Sequence, residues 1–158
     1  MLISWLHLVS LTVYVGSLAG LWLVLLPALS ALHSHEEQVK LLARSLKLYN
    51  PLQTASLGIL ILSGAFQLTA LKAAYRELFL RELGMTLAWK LALAFFLVIL
   101  STYQSMAVAH RFVRRFEQGE SFSPQELQSL TRRLRVSSLA ILFLAVATIW
   151  LGLRLRGA

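Results

Sequence analysis

The chain has 158 residues, of which 58% are hydrophobic and 14% charged, where an ordinary soluble domain carries about 25% charged residues. The length allows one domain, residues 1–158, and the apolar content leaves too little polar surface to face water. A formal charge of +8 would suit nucleic acid, but the cations sit beside apolar stretches and imply no nucleic-acid partner; cysteine is absent, which excludes disulfides and thiol chemistry.

Four continuous apolar runs, about residues 3–29, 48–71, 85–109 and 136–153, meet or approach the roughly 20 residues a helix needs to cross a bilayer. Barrel strands would instead alternate apolar and polar residues over about 10 positions. The predicted fold is all-α, an integral membrane antiparallel four-helix bundle. The first run has no basic leader and no small-residue cleavage pattern after Pro27-Ala28-Leu29, so it reads as a retained span.

Along the first run, His7 enters early, and Tyr14 follows on the same face two turns deeper. Gly16 and Gly20 have the spacing that lets two helices approach closely. Ser34-His35-Glu36-Glu37 then has capping-box spacing and opens an amphipathic stretch. There Lys40, Arg44 and Lys47 form one stripe, and Val39, Leu42 and Leu46 another. Asn50-Pro51 predicts a bend and restart before the second run, which holds Gln67 near its far end. The segment from Lys72 to Gly84 mixes Tyr75, Leu78 and Phe79 with charges and is expected on the membrane surface.

The third run has Lys90 near its start and a small-residue stripe, Ser101 and Ser105, near its end. Ser123-Pro124-Gln125-Glu126 repeats the helix-start signal, and that helix is expected to continue into the fourth run, which holds Thr148. His33 and His35 sit in a polar loop without a carboxylate cage, a weak metal signal, and His110 beside Arg111 reads as a solvated boundary residue.

Basic residues set an orientation. The segments after the first and third runs carry Lys40, Arg44, Lys47, Arg111, Arg114, Arg115, Arg132, Arg133 and Arg135. The opposite side has the smaller set Lys72, Arg76, Arg81, Arg154 and Arg156. The richer side is expected to face the cytoplasm and anionic lipids, with both termini outside. Alternating spans then bring His7, Gln67, Lys90 and Thr148 to one depth near the outer surface, whichever way the bundle faces.

That coincidence predicts a polar pocket. His7 can ligate haem iron or copper through one ring nitrogen, with Gln67 or Thr148 orienting the other. Lys90 can pair with an anionic group, and Tyr14 can line the same cavity. The alternative is an interfacial His7 and a snorkelling Lys90 among Trp5, Trp89 and Trp150. No span contains Asp or Glu, which argues against a proton pump.

Trp5-Leu6-His7-Leu8 followed by Tyr14-Val15-Gly16-Ser17-Leu18-Ala19-Gly20 resembles the first helix of the CopD-like and HemJ-like membrane proteins. Leu48-Tyr49-Asn50, Trp89-Lys90-Leu91 and Gln118-Gly119-Glu120-Ser121 resemble further HemJ landmarks, in order, over most of the chain. The resemblance implies a multi-pass protein of a prokaryotic inner (plasma) membrane. Its HemJ branch implies haem b and oxidation of protoporphyrinogen IX, with His7 as haem ligand and Lys90 as the essential basic residue. Two departures stand out: Ser101 or a neighbour replaces a second histidine of the third helix, and Arg135-Val136-Ser137-Ser138 replaces an Asn-Glu-x-Pro-like opening of the fourth.

The CopD branch implies copper handling, although copper(I) favours sulfur ligands and the spans offer little beyond Met106 and Met85. Three expectations therefore stand. They are a haem-b-associated redox protein with Tyr14 and Lys90 acting in catalysis, a copper-handling protein, and a non-catalytic subunit of a larger membrane complex or homo-oligomer.

Overall fold

The computed structural model describes residues 2–74 and 83–157. These residues form four helices long and apolar enough to cross a membrane, and none of them is in a strand. The first, α1, spans Leu2–Ala31 and contains a π-helical turn at Leu21–Leu25. The second, α2, spans His35–Ala74. The third, α3, runs from Leu83–Thr102 through a π-helical stretch, Tyr103–His110, into Arg111–Glu117. The fourth, α4, spans Pro124–Gly157. The expected surface segment around Tyr75, Leu78 and Phe79 lies outside the described residues.

Short turns make sequential helices antiparallel neighbours. Helix α1 packs along α2, and α3 along α4, while α1 touches α4 and α2 meets α3 mainly over Tyr103–Glu117. Between α2 and the Leu83–Thr102 part of α3 there is at most slight contact.

The buried apolar side chains are unevenly placed. One cluster joins Leu21, Leu25, Leu42, Leu46, Phe112 and Leu134 with their neighbours at the end carrying the two short turns. A smaller one joins Tyr14, Leu18, Leu97, Ile141 and Ala145 at mid-height. Large apolar side chains such as Leu23, Leu62, Phe66, Phe95 and Phe143 point outward and are exposed. A soluble monomer seldom shows so continuous an apolar surface.

Two local expectations change. No restart occurs at Pro51; α2 stays helical through it as one element of 40 residues. Proline removes one donor, that to the Lys47 carbonyl, without ending the helix. The Asn50 carbonyl accepts from Thr54 at 2.9 Å and its side-chain oxygen from Ser105 at 2.5 Å. The glycine pair also divides. Gly20 sits against Tyr49, whose hydroxyl would lie 3.3 Å from an added Cβ, whereas Gly16 is exposed with open space beside it.

The helix starts and stops follow their local chemistry. Ser123 and Glu126 form a reciprocal capping box, each backbone N–H donating to the other's side chain at 3.1 Å. At the first turn, Gln38 donates its backbone N–H to the Ser34 carbonyl and its side-chain amide to that of Leu32. Helix α3 ends in a Schellman turn: Glu120 N–H reaches the Arg115 carbonyl, Gly119 N–H reaches that of Phe116, and Gly119 has φ +75°. Gly119→Ala is therefore expected to cost about 1–2 kcal/mol, read as a lower midpoint in denaturant titration of the detergent-solubilised chain.

Candidate functional site

The polar side chains of the spans fall into two groups. The first lies near the free end of α1. Its centre is His7, half-buried, with Nδ1 2.8 Å from the Ser63 hydroxyl on α2. A serine hydroxyl has one proton. That proton goes to the Ile59 carbonyl at 2.6 Å, with the Leu60 carbonyl next nearest at 3.2 Å. With the serine proton on Ile59, His7 donates to Ser63 from Nδ1. In the neutral ring the lone pair then sits on Nε2. The tautomer follows from the proton count rather than from the ring position alone.

Two neighbours frame this imidazole. Gly64 lies under its edge, where an added Cβ would stand 3.5 Å from Cε1. Beside it, Ile3, Leu6, Ile59, Leu62, Ser63 and Phe66 line an apolar groove of about 280 Å³ between α1 and α2.

Of the other residues expected at this depth, Lys90 is half-buried on α3 and lies across α4 at Gly152, with Nζ 3.1 Å and Cε 3.5 Å from where a Cβ would be. The missing side chain makes room for the lysine stem. Thr148, also half-buried, turns its hydroxyl back to the Leu144 carbonyl at 2.7 Å. Gln67 is half-buried on α2, one helical turn beyond Ser63. His7 thus meets α2 and Lys90 meets α4.

The second group lies at mid-height and is organised by α3. Within five positions this helix addresses each of the other three. Ser101 hydrogen-bonds the Tyr14 hydroxyl on α1. The Gln104 side-chain amide donates to Ser138 on α4 at 2.8 Å, and Ser105 donates to Asn50 on α2. The π-helical stretch beginning at Tyr103 changes the angular spacing of side chains here, as such segments do at many functional sites. Tyr14, Gln104 and Ser138 are essentially inaccessible, at 2%, 3% and 0%.

Around these groups is a cavity of about 60 Å³, lined among others by Tyr14, Gln53, Ser101 and Gln104. Tyr14 therefore lines this mid-height cavity, whose lining does not include His7. The sequence pattern marks Gln53, Gln104, Ser137 and Ser138 only as polar residues of the inner half, and does not single out Ser63, Gly64 or Gly152. A serine–glycine pair inside an apolar run was the one available signal for Ser63.

At the end with the short turns, charges are exposed and paired along the surface. Lys47 bridges to Glu117 at 2.6 Å and holds its carboxyl below the usual carboxylate range, first by hydrogen bonding and then by charge. Arg115 binds Glu120 and lies 4.8 Å from the Phe122 ring centre, and the Phe122 carbonyl accepts from His35 Nε2 at 2.7 Å. Among the described residues no three His, Asp or Glu side chains gather as a metal cluster. Comparison of the chain with family models, with curated proteins and with solved structures finds no match in any of the three.

Proposed function

We propose that the chain is an integral membrane protein that binds haem b through His7 and serves redox chemistry of the HemJ-like kind. One observation carries this reading: His7 Nδ1 lies 2.8 Å from the Ser63 hydroxyl, whose proton can rest on the Ile59 carbonyl, so that Ser63 accepts Nδ1–H and leaves the lone pair on Nε2. A histidine ligand needs its lone pair on the metal-facing nitrogen and a partner on the other, and Ser63 supplies that partner. The apolar groove beside it suits the edge of a macrocycle. The groove shares Ser63 with the His7 contact although His7 itself does not line it, and this adjacency of a ring nitrogen and an apolar wall is what supports the group.

In this reading His7 would hold the iron, Ser63 would orient the ring, and Gly64 would keep the space at its edge clear. Haem bound there supplies one-electron exchange. Lys90 places a cation at the same end of the bundle, suited to a propionate or another anionic group. The protein is placed with the short-turn end in the cytoplasm, where Lys40, Arg44, Arg111, Arg114, Arg132, Arg133 and Arg135 are all exposed to anionic lipid headgroups.

The test is the visible spectrum of the full chain in detergent, oxidised and reduced, after addition of haem. A Soret band that shifts on reduction, and is lost in His7→Ala while the variant stays folded by circular dichroism, is the expected result. A wild-type protein that leaves haem in its free spectrum, or a His7→Ala protein that binds haem equally well, overturns the proposal. Retention of copper through His7 by a colourless protein would move the reading to copper handling.

A further inference from the structure

The mid-height cavity has a polar floor, apolar walls and an open side. Tyr14, Ser101 and Gln104 are buried at its floor, and Leu18, Leu57 and Ile141 form walls. Thr54 and Thr102, with Met106, also line it and are exposed on the flank between α2 and α3. In the membrane placement proposed above, that flank faces lipid rather than water. The cavity is thus reached sideways from the bilayer.

Two of its polar atoms are unmatched among the described residues. Gln53 Nε2 and Gln104 Oε1 are buried and have no hydrogen-bond partner. Turning the Gln104 carboxamide over would exchange a lone acceptor for a lone donor but would still leave one atom unmet, because Ser138 engages only one side. Buried polar groups in folded proteins are nearly always paired, so two orphans in one cavity point to a missing occupant.

The chemistry of the walls narrows that occupant. No carboxylate, ammonium or guanidinium lines the cavity, so it offers nothing to balance a buried charge. A volume of about 60 Å³ is well below the roughly 300 Å³ of a small-molecule pocket that encloses its ligand. Of a membrane-soluble molecule only the polar end fits, with its apolar remainder in the lateral opening. Gln53 offers an N–H to a carbonyl oxygen, and Gln104 offers a second once its carboxamide is turned so that Oε1 accepts from the Ser138 hydroxyl; the hydroxyls of Tyr14 and Ser101 border the same space.

We infer that this cavity binds the uncharged, carbonyl-bearing head of a membrane-soluble molecule, inserted between α2 and α3. The inference rests on the membrane placement but not on haem. A ring carbonyl of a quinone and the ester carbonyl of an acylglycerol share this chemistry, and the experiment separates them.

The full chain is placed in nanodiscs of ether-linked lipid, which carry no ester carbonyl, and titrated calorimetrically with a short-chain quinone and with a monoacylglycerol. Resistance to carbonate extraction from cell membranes checks the membrane placement separately. Saturable binding of one probe per chain is expected, weakened about tenfold or more in Gln53→Met and in Gln104→Met, which keep side-chain bulk but remove the amide. Whichever probe binds identifies the source. Saturable binding of neither probe to a membrane-retained, folded protein overturns the inference and leaves the cavity to water. Equal binding by wild type and both folded variants also overturns it.

Discussion

Ser63→Ala is expected to weaken haem binding by about 10–100-fold while leaving the helical bundle folded. The variant removes the Ser63 hydroxyl oxygen that lies 2.8 Å from His7 Nδ1. Two consequences follow for the ring. It loses the contact that fixes its orientation, and the proton is no longer held on Nδ1, so part of the population presents a protonated Nε2 that cannot bind iron. The serine proton itself served the Ile59 carbonyl, an intrahelical contact of small energetic weight, so the helix loses little. Ser63→Thr keeps both the oxygen and that back-bond and should restore most of the affinity. Haem titration followed at the Soret band, with circular dichroism as the folding control, separates the outcomes. Unchanged affinity in Ser63→Ala would remove the argument for His7 as an oriented ligand.

The largest expected effect on stability lies at the other end of the molecule. Leu42 is fully buried in the apolar cluster that ties α1, α2, α3 and α4 together near the short turns. Leu42→Ala should destabilise the bundle by about 2–5 kcal/mol, combining lost apolar burial with the cavity left behind. Leu62→Ala, at an exposed position of the same helix, should shift stability by no more than about 0.5 kcal/mol. Equilibrium unfolding of the two variants in mixed detergent measures the difference. Equal effects would mean that the cluster is not what holds this end closed.

The four helices were readable from sequence because continuous apolar runs leave little choice of structure. Their boundaries were less so. The amphipathic segment with Lys40, Arg44 and Lys47 and the second apolar run form one helix, because Asn50 binds Thr54 and Ser105 where Pro51 suggested a break. His7, Tyr14 and Lys90 could be singled out because polar groups are rare inside such runs. Their partners could not. Ser63 does what a serine inside an apolar helix ordinarily does, bonding back to its own helix, and the same oxygen reaches His7. Gly152 matters through what it lacks, the Cβ that would meet Lys90. The joint between Gln104 and Ser138 depends on the register of α3 against α4 and on the π-helical stretch, neither of which a hydropathy pattern encodes.

The uneven placement of the apolar clusters gives the bundle the mechanics of tongs. The end with the short turns is pinned by close-packed leucines, while toward the termini the described part of α3 before Tyr103 meets α2 only slightly. Among the described residues, parting α2 from that stretch of α3 therefore costs few contacts, while the packed end and the α1–α2 and α3–α4 pairs stay whole.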